Sequence, residues 1–161
     1  MSRFGATDIK DRFWGAAVYL FAIHDAINLG TGLLVQFPAL SPLFRLLGIL
    51  ITPINFIYAI FNTAIPAFGS LVVFFILFLA VVRNERVPYF IRFNTLQSIL
   101  FGIAIALISI VFSTFGALGF VGSITFIMAT GASIFCMVEC ALGHYPEIPT
   151  FSAAAYSQLR R

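Results

Sequence analysis

The stretch LLGILITPINFIYAIFNTAIPAFGSLVVFFILFLAVV runs from Leu46 to Val82 without a charged residue. As one helix it would be about 55 Å long at 1.5 Å per residue, far beyond the ~30 Å hydrocarbon core of a bilayer. It must bend, and Pro53, Pro66 and Gly69 mark where. Two architectures satisfy it. Either the whole stretch makes a hairpin of two spans, or only residues 66–82 cross while 46–62 lies at the interface or re-enters. Asn55, Tyr58 and Asn62 recur three and four residues apart, a polar stripe suited to an interface or to a groove between helices.

Outward from this stretch, three further apolar runs fit spans at about 14–36, 93–112 and 118–142. The chain of 161 residues is 61% hydrophobic and only 9% charged, with a mean hydropathy of +1.05. A soluble domain carries roughly 25% charge, and so little of it could not cover a globule in water. The composition excludes soluble enzymes, nucleic-acid binders and disulfide scaffolds, and makes membrane lipid the first partner. Thirteen residues precede the first apolar run, which contains His24, Asp25 and Asn28, so it does not read as a secretory signal. No Arg/Ser-rich leader is evident, and the chain is expected to be used where it is encoded.

Lysine and arginine decide between the two architectures. With four spans, Arg3, Lys10, Arg12, Arg83, Arg86, Arg92, Arg160 and Arg161 share one side and Arg45 alone lies opposite. With five spans the split falls to six against three. The positive-inside rule favours the stronger asymmetry, so the expectation is all-α, with four transmembrane helices and both termini cytoplasmic. A short cytoplasmic helix is expected within the tail 143–161, where Gly143 ends the fourth span, Pro146 and Pro149 keep the chain extended, and Ser152 caps Ala153–Leu159.

Polar residues inside the spans are the candidate sites. Residues 71–82 include eleven Leu, Ile, Val or Phe, together favouring insertion by ~3–6 kcal/mol. The first span must offset Asp25, at ~2.5–3.5 kcal/mol near mid-membrane. His24, Asp25 and Asn28 lie on one arc of that helix. They read either as a hydrated or proton-coupled site, or as a hydrogen-bonded cluster with a protonated Asp25 holding the bundle together. Arg92, Asn94, Gln97 and Ser98 open the third span, as a polar end in the headgroup zone with Arg92 snorkelling or as a cytoplasm-facing contact surface. On the fourth span Gly116, Gly119, Gly122, Ser123, Ala129, Ala132 and Ser133 make a packing seam. Cys136, Glu139, Cys140 and His144 follow, but four residues over two turns of one helix cannot enclose a metal tetrahedrally. The cysteines read as small buried hydrophobes, and Glu139 as a partner for Arg83 or Arg92. No cofactor is expected.

Two segments carry a resemblance. Arg83-Asn84, then YFIRFNTLQSIL from Tyr89 to Leu100 with Arg92, Phe93, Asn94 and Gln97, resembles the hallmark RN…FVRFNxMQAIL. Gly143-His144-Tyr145-Pro146-Glu147-Ile148-Pro149, with Ser152, Tyr156 and Gln158, resembles the ending GxYxEIPxxSxAxYxQ of the same family. Tyr19-Leu20 and Asp25-Ala26 match its first span more loosely. This is the Tic-twenty-like family, the small polytopic subunit of the protein-import translocon at the chloroplast inner envelope, with cyanobacterial and plastid-encoded relatives. The resemblance covers about Asp11 to Gln158. It implies four helices, both termini stromal or cytoplasmic, and a channel-type or scaffold role in moving preproteins across or into a membrane. Three positions depart from the pattern. Gly102 stands where the family has an acid, Ala22 where it has a proline, and Ala153 where an acid follows the tail serine. The departures describe a divergent, cyanobacterial-type member, which need not import preproteins.

Three function classes follow. A translocation or insertion subunit would place Asp25, Asn94 and Gln97 along a polar path for a polypeptide. An assembly subunit would use the motifs as contacts to other membrane proteins, in a homo- or hetero-oligomer. A small-ion or solute transporter would use His24, Asp25 and Asn28. No nucleophile, phosphate loop or metal cage is present in the sequence, so an enzyme is not expected. The compartment is expected to be a cyanobacterial plasma or thylakoid membrane, or the plastid inner envelope.

Overall fold

The structure, a computed structural model, describes residues 7–114 and 118–159. Arg3, Gly116, Arg160 and Arg161, which entered the expectations above, lie outside the described residues. Among the described residues every regular element is helical. Three of the described helices are long and apolar enough to cross a membrane, and a bent pair brings the number to as many as four.

Helix α1 is Ile9–Gln36. It starts five residues before the apolar run because Asp8 accepts a hydrogen bond from the Ile9 amide at 2.7 Å, capping a polar first turn. The helix is irregular at Val18 and tightens to a 3₁₀ turn at Asn28–Gly30. There the Thr31 hydroxyl donates to the Asn28 carbonyl at 2.9 Å.

The uncharged stretch bends at its prolines. Helix α2 is Ser41–Leu50 and α3 is Thr52–Ala64, with 60° between them and a proline in the first turn of each. A turn through Pro66 and Ala67 (φ 68°) reverses the chain into α4, Gly69–Val82, which packs back against α3. Gly69 permits that closeness, since a Cβ there would collide with Asn62. Only 14 residues long, α4 reaches about 21 Å as an α-helix. Its last six residues, Leu77–Val82, widen into a π-helix, with the Arg83 amide donating to the Phe78 carbonyl at 2.9 Å.

Helices α5 (Tyr89–Thr114) and α6 (Leu118–Leu142) complete the bundle. Contacts between α1 and α5 advance together: Gly15 lies against Phe90, Tyr19 against Asn94, and Asp25 against Gly102. The two helices are therefore parallel. Contacts between α1 and α6 run oppositely: Leu29 meets Gly122, Gly32 meets Gly119, and Thr7 meets Gly143. These two are antiparallel, and Gly119, Gly122 and Ser123 do form a close seam, against α1. Residues 7–12, the 83–88 loop and the tail thus gather at one end of the bundle.

Gly143, at φ 84°, ends α6 as expected. The tail runs extended to Pro149 and turns at Thr150 (φ 75°) into α7, Phe151–Gln158. Thr150, not Ser152, precedes this helix; Ser152 sits inside its first turn. Rather than standing off, α7 packs along α5, with Ala155 and Leu159 joining Val82, Phe93, Leu96 and Ile99 in one core cluster.

Candidate functional site

The polar arc of α1 faces a groove of about 700 Å³ between α1, the α3–α4 hairpin and α5. His24, Asp25 and Asn28 all line it, so the structure brings together the three residues that the helical spacing grouped. His24 Nδ1 lies 3.1 Å from Asp25 Oδ1, and the Tyr58 hydroxyl donates to the same oxygen at 3.4 Å. The rings of Tyr58 and His24 stack nearly parallel, centroids 4.2 Å apart, and Phe21 meets Tyr58 edge-on. The other carboxylate oxygen, Oδ2, lies over Gly102, where a Cβ would stand only 2.8 Å away. Gly102 is thus more than a departure from a pattern; it is the space in which the Asp25 carboxylate sits. Tyr58, one member of the polar stripe of 55–62, is the side chain that joins α3 to this cluster.

The motif residues that open α5 form a different site. Asn94 and Gln97 are wholly buried and are not among the residues that line this groove, so they face the interior of the bundle rather than an exposed contact surface. Asn94 Oδ1 accepts from the Tyr19 hydroxyl at 2.8 Å and from the Cys140 thiol at 3.2 Å, while Nδ2 donates to the Phe90 carbonyl at 2.8 Å. Gln97 Nε2 donates to Cys136 Sγ at 3.8 Å, and its Oε1 lies 3.4 Å from the Ser152 hydroxyl. That hydroxyl also donates to the Pro146 carbonyl at 3.1 Å and accepts from the Ile148 amide at 2.7 Å. One network therefore ties α1, α5, α6 and the tail. The cysteines are buried as expected but also take part in it, which composition gave no means of seeing. Ser98 adds a further tie between α5 and α1 by donating to the Val18 carbonyl at 2.7 Å, where α1 is irregular.

Arg92 does not snorkel. It is 8% exposed, and its Nε donates to the Val82 carbonyl at 2.9 Å. This places a cation on the C-terminal carbonyls of α4, where it is favoured. Glu139 pairs with His144 at 3.1 Å rather than with Arg83 or Arg92, and Arg83 lies over the Phe78 ring. In the loop, the Asn84 carboxamide accepts from the Arg86 amide at 3.0 Å. The remaining motif residues divide. Tyr145 meets Phe90 and Phe93 edge-on, and Tyr156 lies 4.6 Å from Phe93, so the aromatic residues dock the tail. Glu147, Pro149 and Gln158 are exposed. Burial pushes the Tyr145 hydroxyl up to about 12, with Tyr89, Tyr156 and Asp11 adding to it. Among the described residues no group of three His, Cys, Asp or Glu side chains could hold a metal ion.

Comparison with known proteins matches residues 6–155 to a family described as chloroplast import apparatus Tic20-like. The chain is similar to a Tic20 family protein of Synechocystis sp., 38% identical over 169 aligned positions covering 99% of each chain. It is also similar to two proteins of Arabidopsis thaliana. Protein TIC 20-II, chloroplastic, is 28% identical across 95% of this chain and 74% of its own, and protein TIC 20-v, chloroplastic, is 24% identical across 96% and 73%.

Proposed function

The chain belongs to the Tic20-like family, and from that membership we propose that it is a membrane-embedded subunit of a protein translocation or insertion complex. The reading uses four spans, with both termini on the cytoplasmic or stromal side of a cyanobacterial-type membrane or the plastid inner envelope. The parallel course of α1 and α5 supports that count, because parallel helices need an odd number of crossings between them. Residues 37–88 then cross once, by α4 together with the bent pair α2–α3, which supplements the ~21 Å of α4. Lys10, Arg12, Arg83 and Arg86 gather at the end that also holds the tail, which agrees with the positive-inside rule.

The groove beside Asp25 carries the role in handling a polypeptide. It offers a polar wall at membrane depth, where irregular or polar chain is tolerated only against protein or water. Photo-crosslinking side chains placed at Ser70 and Ser109, both on the groove wall, should capture polypeptides in transit in native membranes. Capture of the same fixed membrane neighbours under all conditions would overturn a channel-side role. It would favour an assembly subunit held to other membrane proteins. The buried network around Asn94 and Gln97 supports that second reading, since those motif residues serve packing.

A further inference from the structure

Deepening the translocation reading, on which it rests, we propose that the groove receives a basic side chain carried on an otherwise apolar segment of a second polypeptide, with the Asp25 carboxylate as its counter-charge. Counting histidine as neutral, the groove wall holds one negative charge, at Asp25, and no lysine or arginine. Among the described residues no lysine or arginine lies within ion-pair distance of Asp25, whose close neighbour is the His24 ring at 3.1 Å. A carboxylate at membrane depth is costly unless a partner offsets it. The bonds from Tyr58 and His24 both fall on Oδ1. The attraction for an incoming cation is strengthened by the low dielectric, and an incoming carboxylate is repelled by the same term.

The remaining wall describes the rest of the occupant. Leu71, Phe74 and Leu77 on α4, with Ile99 and Ile103 on α5, are the apolar part of the wall. Between Ser98 and Ser109, both on the wall, α5 rises about 16 Å, or three helical turns. Asn28, Ser70, Leu71, Ile103 and Ala106 are exposed at the groove, which is therefore open to a chain arriving from the side. An apolar stretch of three turns with one ammonium or guanidinium group at mid-length matches the single acid and the apolar residues of this wall. Lysine and arginine stems bury well against aliphatic walls while the head meets the carboxylate.

The test uses the full-length protein in liposomes with a photo-crosslinking side chain at Ser109. Three synthetic leucine/alanine transmembrane segments are offered, differing only in a central Lys, Gln or Glu. The Lys segment should be captured roughly tenfold more than the Glu segment, a factor equivalent to about 1.4 kcal/mol. Asp25→Asn should bring Lys down to the level of Gln, and Asp25→Lys should invert the order in favour of Glu. That inversion also shows that the variant is folded. Glu139→Gln removes an acid that lies off the groove wall and should leave the Lys preference in place. Equal capture of all three segments, or loss of the preference in Glu139→Gln, overturns the counter-charge while the translocation reading stands. Capture of lipid alone, with no segment, overturns both.

Discussion

At the scale of single residues, Asp25 and Asn94 show two ways of keeping polarity inside an apolar bundle. Asp25 borders a groove and shares one oxygen between His24 and Tyr58, so its surroundings are adjustable. Adding a methyl group at Gly102 pushes only on the end of that side chain. Gly102→Ala should therefore cost about 1 kcal/mol, the low end of overpacking, while displacing the carboxylate and weakening any capture in the groove. Thermal unfolding in detergent beside the crosslinking assay separates the two effects, and a large loss of stability without change in capture would contradict them. Asn94 has no such freedom. All three of its bonds are buried, and Asn94→Ala leaves the Tyr19 hydroxyl without its acceptor. A loss of about 2–3 kcal/mol is expected. Because Tyr19→Phe removes the orphaned hydroxyl, the double variant should recover part of that cost, and strictly additive losses would show that the two side chains act independently.

At the scale of elements, the α3–α4 hairpin is attached at two places. Its lower end is held where Arg92 binds the Val82 carbonyl beside the π-helical turns, and its upper part meets α1 through Tyr58. Between these points lies the groove. Tyr58→Ala should speed amide hydrogen exchange across 52–64 severalfold in lipid discs, whereas Tyr58→Phe, which keeps the ring stack, should change it little. Equal protection in both variants would mean that Tyr58 does not fasten the hairpin. These attachments explain what the sequence could reveal. Hydropathy and the basic residues gave the apolar helices, and Pro53 and Pro66 located the bends, because each is a local property of the chain. The three-residue arc of α1 was legible for the same reason. Tyr58 against Asp25 joins residues 33 apart and Ser152 against Gln97 joins residues 55 apart. Periodicity says which face Gln97 occupies, but not that the tail returns to cover it. On periodicity alone a buried polar face and an exposed one look the same.

At the scale of the whole molecule, the tail closes the end of the bundle where residues 7–12 and the 83–88 loop also lie. Thr7 and Arg12 reach Gly143, Tyr145 sits among Phe90 and Phe93, and α7 lies along α5. Ser152 links this closure to the interior, so Ser152→Ala should cost about 1 kcal/mol and raise protease sensitivity after residue 143 without unfolding the helices. Tyr145 supplies a pH-dependent part. Burial raises its hydroxyl from an ordinary value of 10.0 to about 12, so the docked tail holds that proton more tightly than a detached tail does. Below pH 10 both states are protonated and docking is fully retained. As pH rises from 10 towards 12, a detached tail ionises first and docking weakens. Cleavage of the tail by an alkali-tolerant protease should therefore rise over that interval in the native chain. In Tyr145→Phe, which keeps the ring contacts and cannot ionise, the rise should be reduced. An unchanged profile would show that the Tyr145 hydroxyl does not govern the alkaline opening.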